Sequence, residues 1–108
     1  MSKNLLQPKS VYITNIYDVY NSLLTDKQRL YFEQYYFYDV TLQEIADACG
    51  ISKNAVSDSI IKTTKILIDY ENNLKILSKQ ESVVALVDKF KDNRMSKDEF
   101  LKKLENFY

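Results

Sequence analysis

The sequence has no histidine, no tryptophan, and only one cysteine, one proline and one glycine in 108 residues. A single cysteine excludes an internal disulfide. Without histidine, a Cys/His zinc site and a Cys–His nucleophile pair are excluded as well. Catalysis would then rest on carboxylates, lysines or tyrosines gathered in a cleft, and no clustering of these along the chain suggests one. The chain therefore does not read as an enzyme, and neither a metal nor a cofactor is expected. Net charge is missing too, with fifteen basic and fifteen acidic residues, which argues against unspecific adhesion to nucleic acid or membrane surfaces. No run approaches the roughly 18 consecutive apolar residues of a membrane span. The opening MSKNLLQPKS lacks the apolar segment and small-residue cleavage site of a signal peptide. A cytoplasmic protein without membrane insertion is the expectation.

Apolar residues make up 45% of the chain, and fourteen residues are aromatic, nine of them tyrosine. That is enough for one buried core, so one compact domain with an appended element is expected. Residues 1–10 are polar, carry Pro8 and show no period, which suggests a flexible lead. Ile13, Ile16, Tyr17, Tyr20, Leu23 and Leu24 follow helical spacing and predict a helix from about Val11 to Leu24. Thr25 with Gln28 three residues later forms a capping box, and Asp26 sits at the positive end of the dipole. A second helix is thus expected over Asp26–Tyr36, burying Leu30 and one side of the aromatic run Tyr31–Tyr38. The six aromatics of that run exceed one buried stripe. Core plus a hinge packed on the first helix is the plainer reading, and an exposed patch for a partner or a nucleobase is the sharper one.

The single glycine stands between two apolar-periodic runs, Leu42, Ile45, Ala46, Cys49 and Ile51, Val56, Ile60. Glycine reaches positive φ at little steric cost and so ends a helix in the left-handed conformation. Thr41 and Glu44 supply a capping box before the first run, and Ser52 can cap the second. Helix, glycine turn and capped helix over Thr41–Leu67 is a helix-turn-helix. Cys49 reads as a small core residue on the apolar face. The spacing Val56, Ile60, Thr63, Leu67, Tyr70, Leu74, Leu77 predicts that the second helix runs on, as far as Leu77, with Asp69–Asn73 as the place where it would break. Such a seam packs on the chain's own helices or forms a homodimer surface. Residues 81–108 read as a C-terminal helical hairpin, with Val83, Val84, Leu86, Val87 and Phe90 in its first helix, from Ser82 onward, and Met95, Phe100, Leu101, Leu104 and Phe107 in its second. DNRMS turns the chain between them and Ser96–Glu99 offers another capping box. DNRMSKDEF lacks the alternating oxygens and central glycine of a calcium loop, so no metal is expected there. The resulting layout is a lead over 1–10, a helix-turn-helix domain over 11–80 and the hairpin over 81–108.

The stretch Ser22–Leu74 resembles the YlxM family of small bacterial proteins. The resemblance is densest at LLTDKQR, the YYF segment, LQEIA, GISKNAVSD and DYE. It implies an all-α fold, a helix-turn-helix bundle without a wing, similar to region 4 of RNA polymerase sigma factors. It also implies a role beside the signal recognition particle, because genes of the family commonly neighbour those of the particle and its receptor. The particle's GTPase, its RNA or its receptor are then the expected partners.

Sigma-like recognition helices carry several cations after the Ser cap, whereas here Ser57, Asp58 and Ser59 fill that stretch. Nucleic-acid contact must rest on Lys53, Asn54, Ser57, Lys62 and Lys65, with Asn54 suited to an adenine edge and Lys53 to guanine or phosphate. From Ser52 to Tyr70 these three lysines face Asp58 and Asp69, and between Val11 and Gln80 seven basic residues face nine acidic ones. This is a weak footprint for a duplex binder. A regulatory or adaptor protein contacting protein or structured RNA is therefore the first reading, and a sequence-specific DNA-binding regulator acting as a dimer is the alternative.

Overall fold

A computed structural model describes residue 6 and residues 8–107 of the chain. Most of the polar lead lies outside the described residues. Among those described the fold is all-helical, with α1 Val11–Tyr20, α2 Asp26–Tyr36, α3 Leu42–Cys49, α4 Lys53–Leu74, α5 Ile76–Lys91 and α6 Lys97–Glu105. The chain divides into two compact units, one ending at Asn73 and the other beginning at Leu74.

In the first unit, local capping sets the helix starts. The Ile13 N–H donates to Ser10 Oγ at 3.2 Å to open α1. Thr25 and Gln28 exchange both bonds of their capping box at α2, and Thr41 and Glu44 do the same at α3. The first helix stops at Tyr20, short of the expected Leu24, and a 3₁₀ turn covers Asn21–Leu23. The cause is side-chain competition for backbone acceptors. Asn21 Nδ2 donates to the Tyr17 and Asp18 carbonyls, each at 3.1 Å. Arg29 Nη1 donates to Asn21 O at 3.2 Å and Leu24 O at 2.7 Å. The chain thereby bends early and delivers Thr25 as a cap.

The core is aromatic where α1 meets α2. Tyr17 and Phe32 stack at 4.3 Å with 7° between their planes, and Phe32 meets Tyr36 at 4.3 Å. The Tyr17 hydroxyl donates to the Glu33 carboxylate. Burial, and then that carboxylate, push the Tyr17 phenol well above its ordinary range. Leu30 is not part of this core and is 45% exposed. It sits about 200° around the helix from Phe32, and the larger rings of Tyr31, Phe32 and Tyr36 take the buried face instead.

α4 lays Val56, Ile60, Thr63 and Leu67 against the chain's own core, all fully buried. The Thr63 and Thr64 hydroxyls return to the Ser59 and Ile61 carbonyls at 2.9 and 2.8 Å, so neither is a buried orphan. Further along, Glu71 rather than Tyr70 goes inside. The Tyr20 hydroxyl donates to Glu71 Oε1 at 2.7 Å, while the Tyr70 ring lies 5.7 Å from the Tyr20 ring and stays partly exposed. The helix does not reach Leu77. Lys75 takes φ 55°, a left-handed backbone that no helix interior contains, and α5 starts at Ile76 instead of Ser82.

In the second unit α5 and α6 form a hairpin. Leu77 and Leu86 are buried and Phe90 stacks on Phe100 at 4.7 Å. Asn93, also left-handed, turns the chain between the helices, and the Glu99 N–H donates to Ser96 Oγ at 3.2 Å to open α6.

Candidate nucleic-acid interface

The turn between α3 and α4 is built from three local devices. Gly50 has φ 69° and its N–H donates to Ala46 O. The following N–H, of Ile51, donates to the same carbonyl at 3.1 Å, so two successive N–H groups close the end of α3 on Ala46 O. Ser52 Oγ then accepts from the Ala55 N–H at 3.0 Å and opens α4. At the other end of α3, the Thr41 backbone N–H, and after it the Thr41 hydroxyl side of the box, hold the Glu44 carboxyl below its ordinary range. A Cβ added at Gly50 would meet nothing within 4 Å. Gly50→Ala therefore pays only for left-handed backbone and should lower stability by about 1–2 kcal/mol, with Gly50→Asn costing less than half of that. Chemical denaturation of the three proteins checks the order, and an Ala variant as stable as the parent would contradict it.

Two residues expected inside face out. Cys49 is exposed, and so is Ile51. Ile45 and Ala46 already fill the α3 face that meets the core, and Cys49, three residues past Ala46 and next to the turn, is carried beyond its edge.

The five candidate contact residues do not form one cluster. Lys53, Asn54, Lys62 and Lys65 are exposed, and Ser57 is half-buried on the flank of α4. Asn54, Asp58, Lys62, Lys65 and Asp69 follow one another at spacings of four, four, three and four, which places them along the outward stripe of the helix. That stripe sets Lys62 and Lys65 between the carboxylates of Asp58 and Asp69 and carries no net charge. Lys53, Asn54 and Ser57 occupy the first two turns. Lys65 lies about 18 Å further along, at 1.5 Å per residue. A helix entering a groove about 12 Å wide would present Lys53, Asn54 and Ser57 to base edges and leave Lys62 and Lys65 for the backbone.

Beside Lys53 the fold opens a cleft of about 310 Å³ between the end of α2 and the start of α3, lined among others by Lys9, Tyr35, Asp39 and Gln43. Lys9 Nζ bonds Asp39 Oδ1 at 3.0 Å and stands 4.4 Å over the Tyr35 ring. Tyr36, edge-on to Tyr35 at 5.1 Å, is buried behind it, and burial pushes its phenol up to about 12. Tyr35 belongs to the aromatic run that the sequence marks, but Lys9 and Gln43 carry no signal there, because nothing local relates residue 9 to residues 35, 43 and 53. Among the described residues no three carboxylate or thiol groups converge as metal ligands, and no helix is long and apolar enough to cross a membrane.

Residues 7–107 match the family described as "Putative helix-turn-helix protein, YlxM / p13 like". The match extends through α5 and α6, beyond the Ser22–Leu74 blocks that carry the resemblance in the sequence. The chain is similar to a UPF0122 protein of Mycoplasma capricolum subsp. capricolum, with 42% identity over 103 residues that cover 95% of this chain and 91% of the relative. It is 44% identical over 81 residues to a UPF0122 protein of Staphylococcus carnosus, covering 75% and 73%. A UPF0122 protein of Halalkalibacterium halodurans is 36% identical over 101 residues, covering 91% and 93%.

Proposed function

Because this chain belongs to the UPF0122 family of helix-turn-helix proteins, we propose that it is a regulatory protein that docks on structured RNA through the first turns of α4. The observation that carries this reading is the exposed start of that helix, Lys53 and Asn54, held by the Gly50 closure and the Ser52 cap. The balanced stripe of Asp58, Lys62, Lys65 and Asp69 disfavours a protein that must follow two phosphate strands of a DNA duplex, where each neutralised phosphate adds to affinity. It suits a target read by shape and by a few placed contacts. The family resemblance directs the reading to the RNA of the signal recognition particle, with its GTPase and receptor as neighbours in the same assembly.

The test is binding of the full chain to that RNA and to duplex DNA of equal length, followed by fluorescence anisotropy across a salt series. RNA should bind more tightly than the duplex. Lys53→Ala with Lys62→Ala should weaken RNA binding by about tenfold or more and flatten the log–log salt slope by about one to two units. Tighter binding to a discrete duplex site, by a dimer with its two α4 helices one DNA turn apart, would replace this reading with that of a DNA regulator. An affinity indifferent to both lysines would remove α4 as the contact.

A further inference from the structure

We propose that the cleft between α2 and α3 binds one unpaired nucleotide, with the Tyr35 ring as the stacking surface and Lys9 and Lys53 as phosphate partners. This rests on the RNA reading above and names what that RNA must offer: a base out of its helix beside the segment that meets α4.

The cleft, about 310 Å³, lies at the lower end of the volumes typical of small-ligand sites, about 300–1,000 Å³. Its chemistry is divided as a nucleotide's is. Val40 and Leu42 give apolar walls, Tyr35 a ring, Asp39 a carboxylate acceptor, and Lys9 and Lys53 two cations. The cations matter because the start of α3 cannot serve as the anion site. Glu44 Oε1 already accepts the Thr41 N–H at 3.0 Å and brings its own negative charge there. The face of Tyr35 that a base would use carries the Lys9 ammonium, 4.4 Å from the ring centroid. That ammonium is on a long, exposed side chain and its ion pair with Asp39 is largely solvated, so it is weakly held. A base stacking on Tyr35 displaces Lys9 toward the phosphate and leaves Asp39 to accept from an exocyclic amine or a ribose hydroxyl. A base within a duplex is stacked on both faces and cannot make this exchange, so the cleft selects unpaired nucleotides.

The experiment uses the full chain and three probes: a hairpin RNA with one bulged 2-aminopurine, the same hairpin with that base paired, and free 2-aminopurine ribonucleoside monophosphate. The bulged RNA should bind more tightly than the paired one, with its fluorescence quenched on binding. Tyr35→Leu should weaken the bulged RNA by about tenfold, abolish the quench and leave the paired hairpin unchanged, while Tyr35→Phe should behave as the parent. Lys9→Ala, at an exposed position outside the helices, should weaken the bulged RNA alone and serves if Tyr35→Leu loses helicity. Quenching of the free monophosphate at the same residues would assign the cleft to free nucleotides as well. Equal binding of both hairpins, untouched by Tyr35→Leu and Lys9→Ala yet weakened by Lys53→Ala with Lys62→Ala, would overturn the cleft and leave the α4 reading standing. Binding of none of the three probes would overturn both.

Discussion

Phe32→Ala should lower the unfolding free energy by about 3–5 kcal/mol, the range for a large ring removed from a packed core. Phe32 is 0% exposed and lies between the Tyr17 ring, at 4.3 Å, and the Tyr36 ring, also at 4.3 Å. Truncation removes the apolar area of the ring and strands two tyrosines around a void. Their hydroxyls limit how far they can collapse into it, Tyr17 being tied to Glu33. Against a typical domain stability of about 5–15 kcal/mol, this is enough to unfold a marginal chain at physiological temperature. Urea denaturation followed by helicity measures it. Phe32→Leu, which keeps most of the volume, should cost about 1–1.5 kcal/mol, and Tyr38→Ala, at a residue 67% exposed, should stay within about 0.5 kcal/mol. A loss below about 1 kcal/mol for Phe32→Ala would mean that the aromatic stack does not hold α1 on α2.

The second large effect concerns the carboxylate inside. Tyr20 and Glu71 are 51 residues apart in sequence, and both are buried, at 1% and 6% exposure. Their 2.7 Å bond ties the end of α1 to the last turns of α4. Tyr20→Phe should cost about 1–3 kcal/mol, as a buried side-chain hydrogen bond is removed. Glu71→Leu should cost a similar amount, because the Tyr20 hydroxyl loses its acceptor. The double variant should cost less than the two together, with a coupling of about 1–3 kcal/mol, since the bond they share is then lost once rather than counted twice. Strict additivity, within about 0.5 kcal/mol, would show that the bond contributes nothing beyond its two separate groups.

Much of this molecule was legible from its sequence because it is local. Thr25 with Gln28, Thr41 with Glu44, Ser52 and Ser96 each cap a helix by bonds that reach three residues, and Gly50 closes α3 with its own backbone. Such bonds need no knowledge of the rest of the chain, so the bounds of α2, the helix-turn-helix and the family's fold follow from residue types in order. Periodicity likewise placed Val56, Ile60, Thr63 and Leu67 on one face of α4.

What periodicity cannot decide is which side of a helix meets a neighbour, or where a left-handed residue stands when glycine is absent. Leu30 yields the buried face of α2 to Tyr31, Phe32 and Tyr36, with Phe32 stacking on Tyr17 of α1. Tyr70 yields to Glu71 because Tyr20 offers a hydroxyl inside. With one glycine in the chain, Asp39, Lys75 and Asn93 carry the other positive-φ positions among the described residues. The break between α4 and α5 thus falls at a lysine, whose type announces no turn. The same holds for the candidate site. Lys53, Asn54, Ser57, Lys62 and Lys65 were readable as a helix surface, whereas the meeting of Lys9, Tyr35, Asp39 and Lys53 spans 44 residues. Local bonding rules chose most helix starts; only the packing of α2, α3 and α4 chose which tyrosine would sit among the lysines.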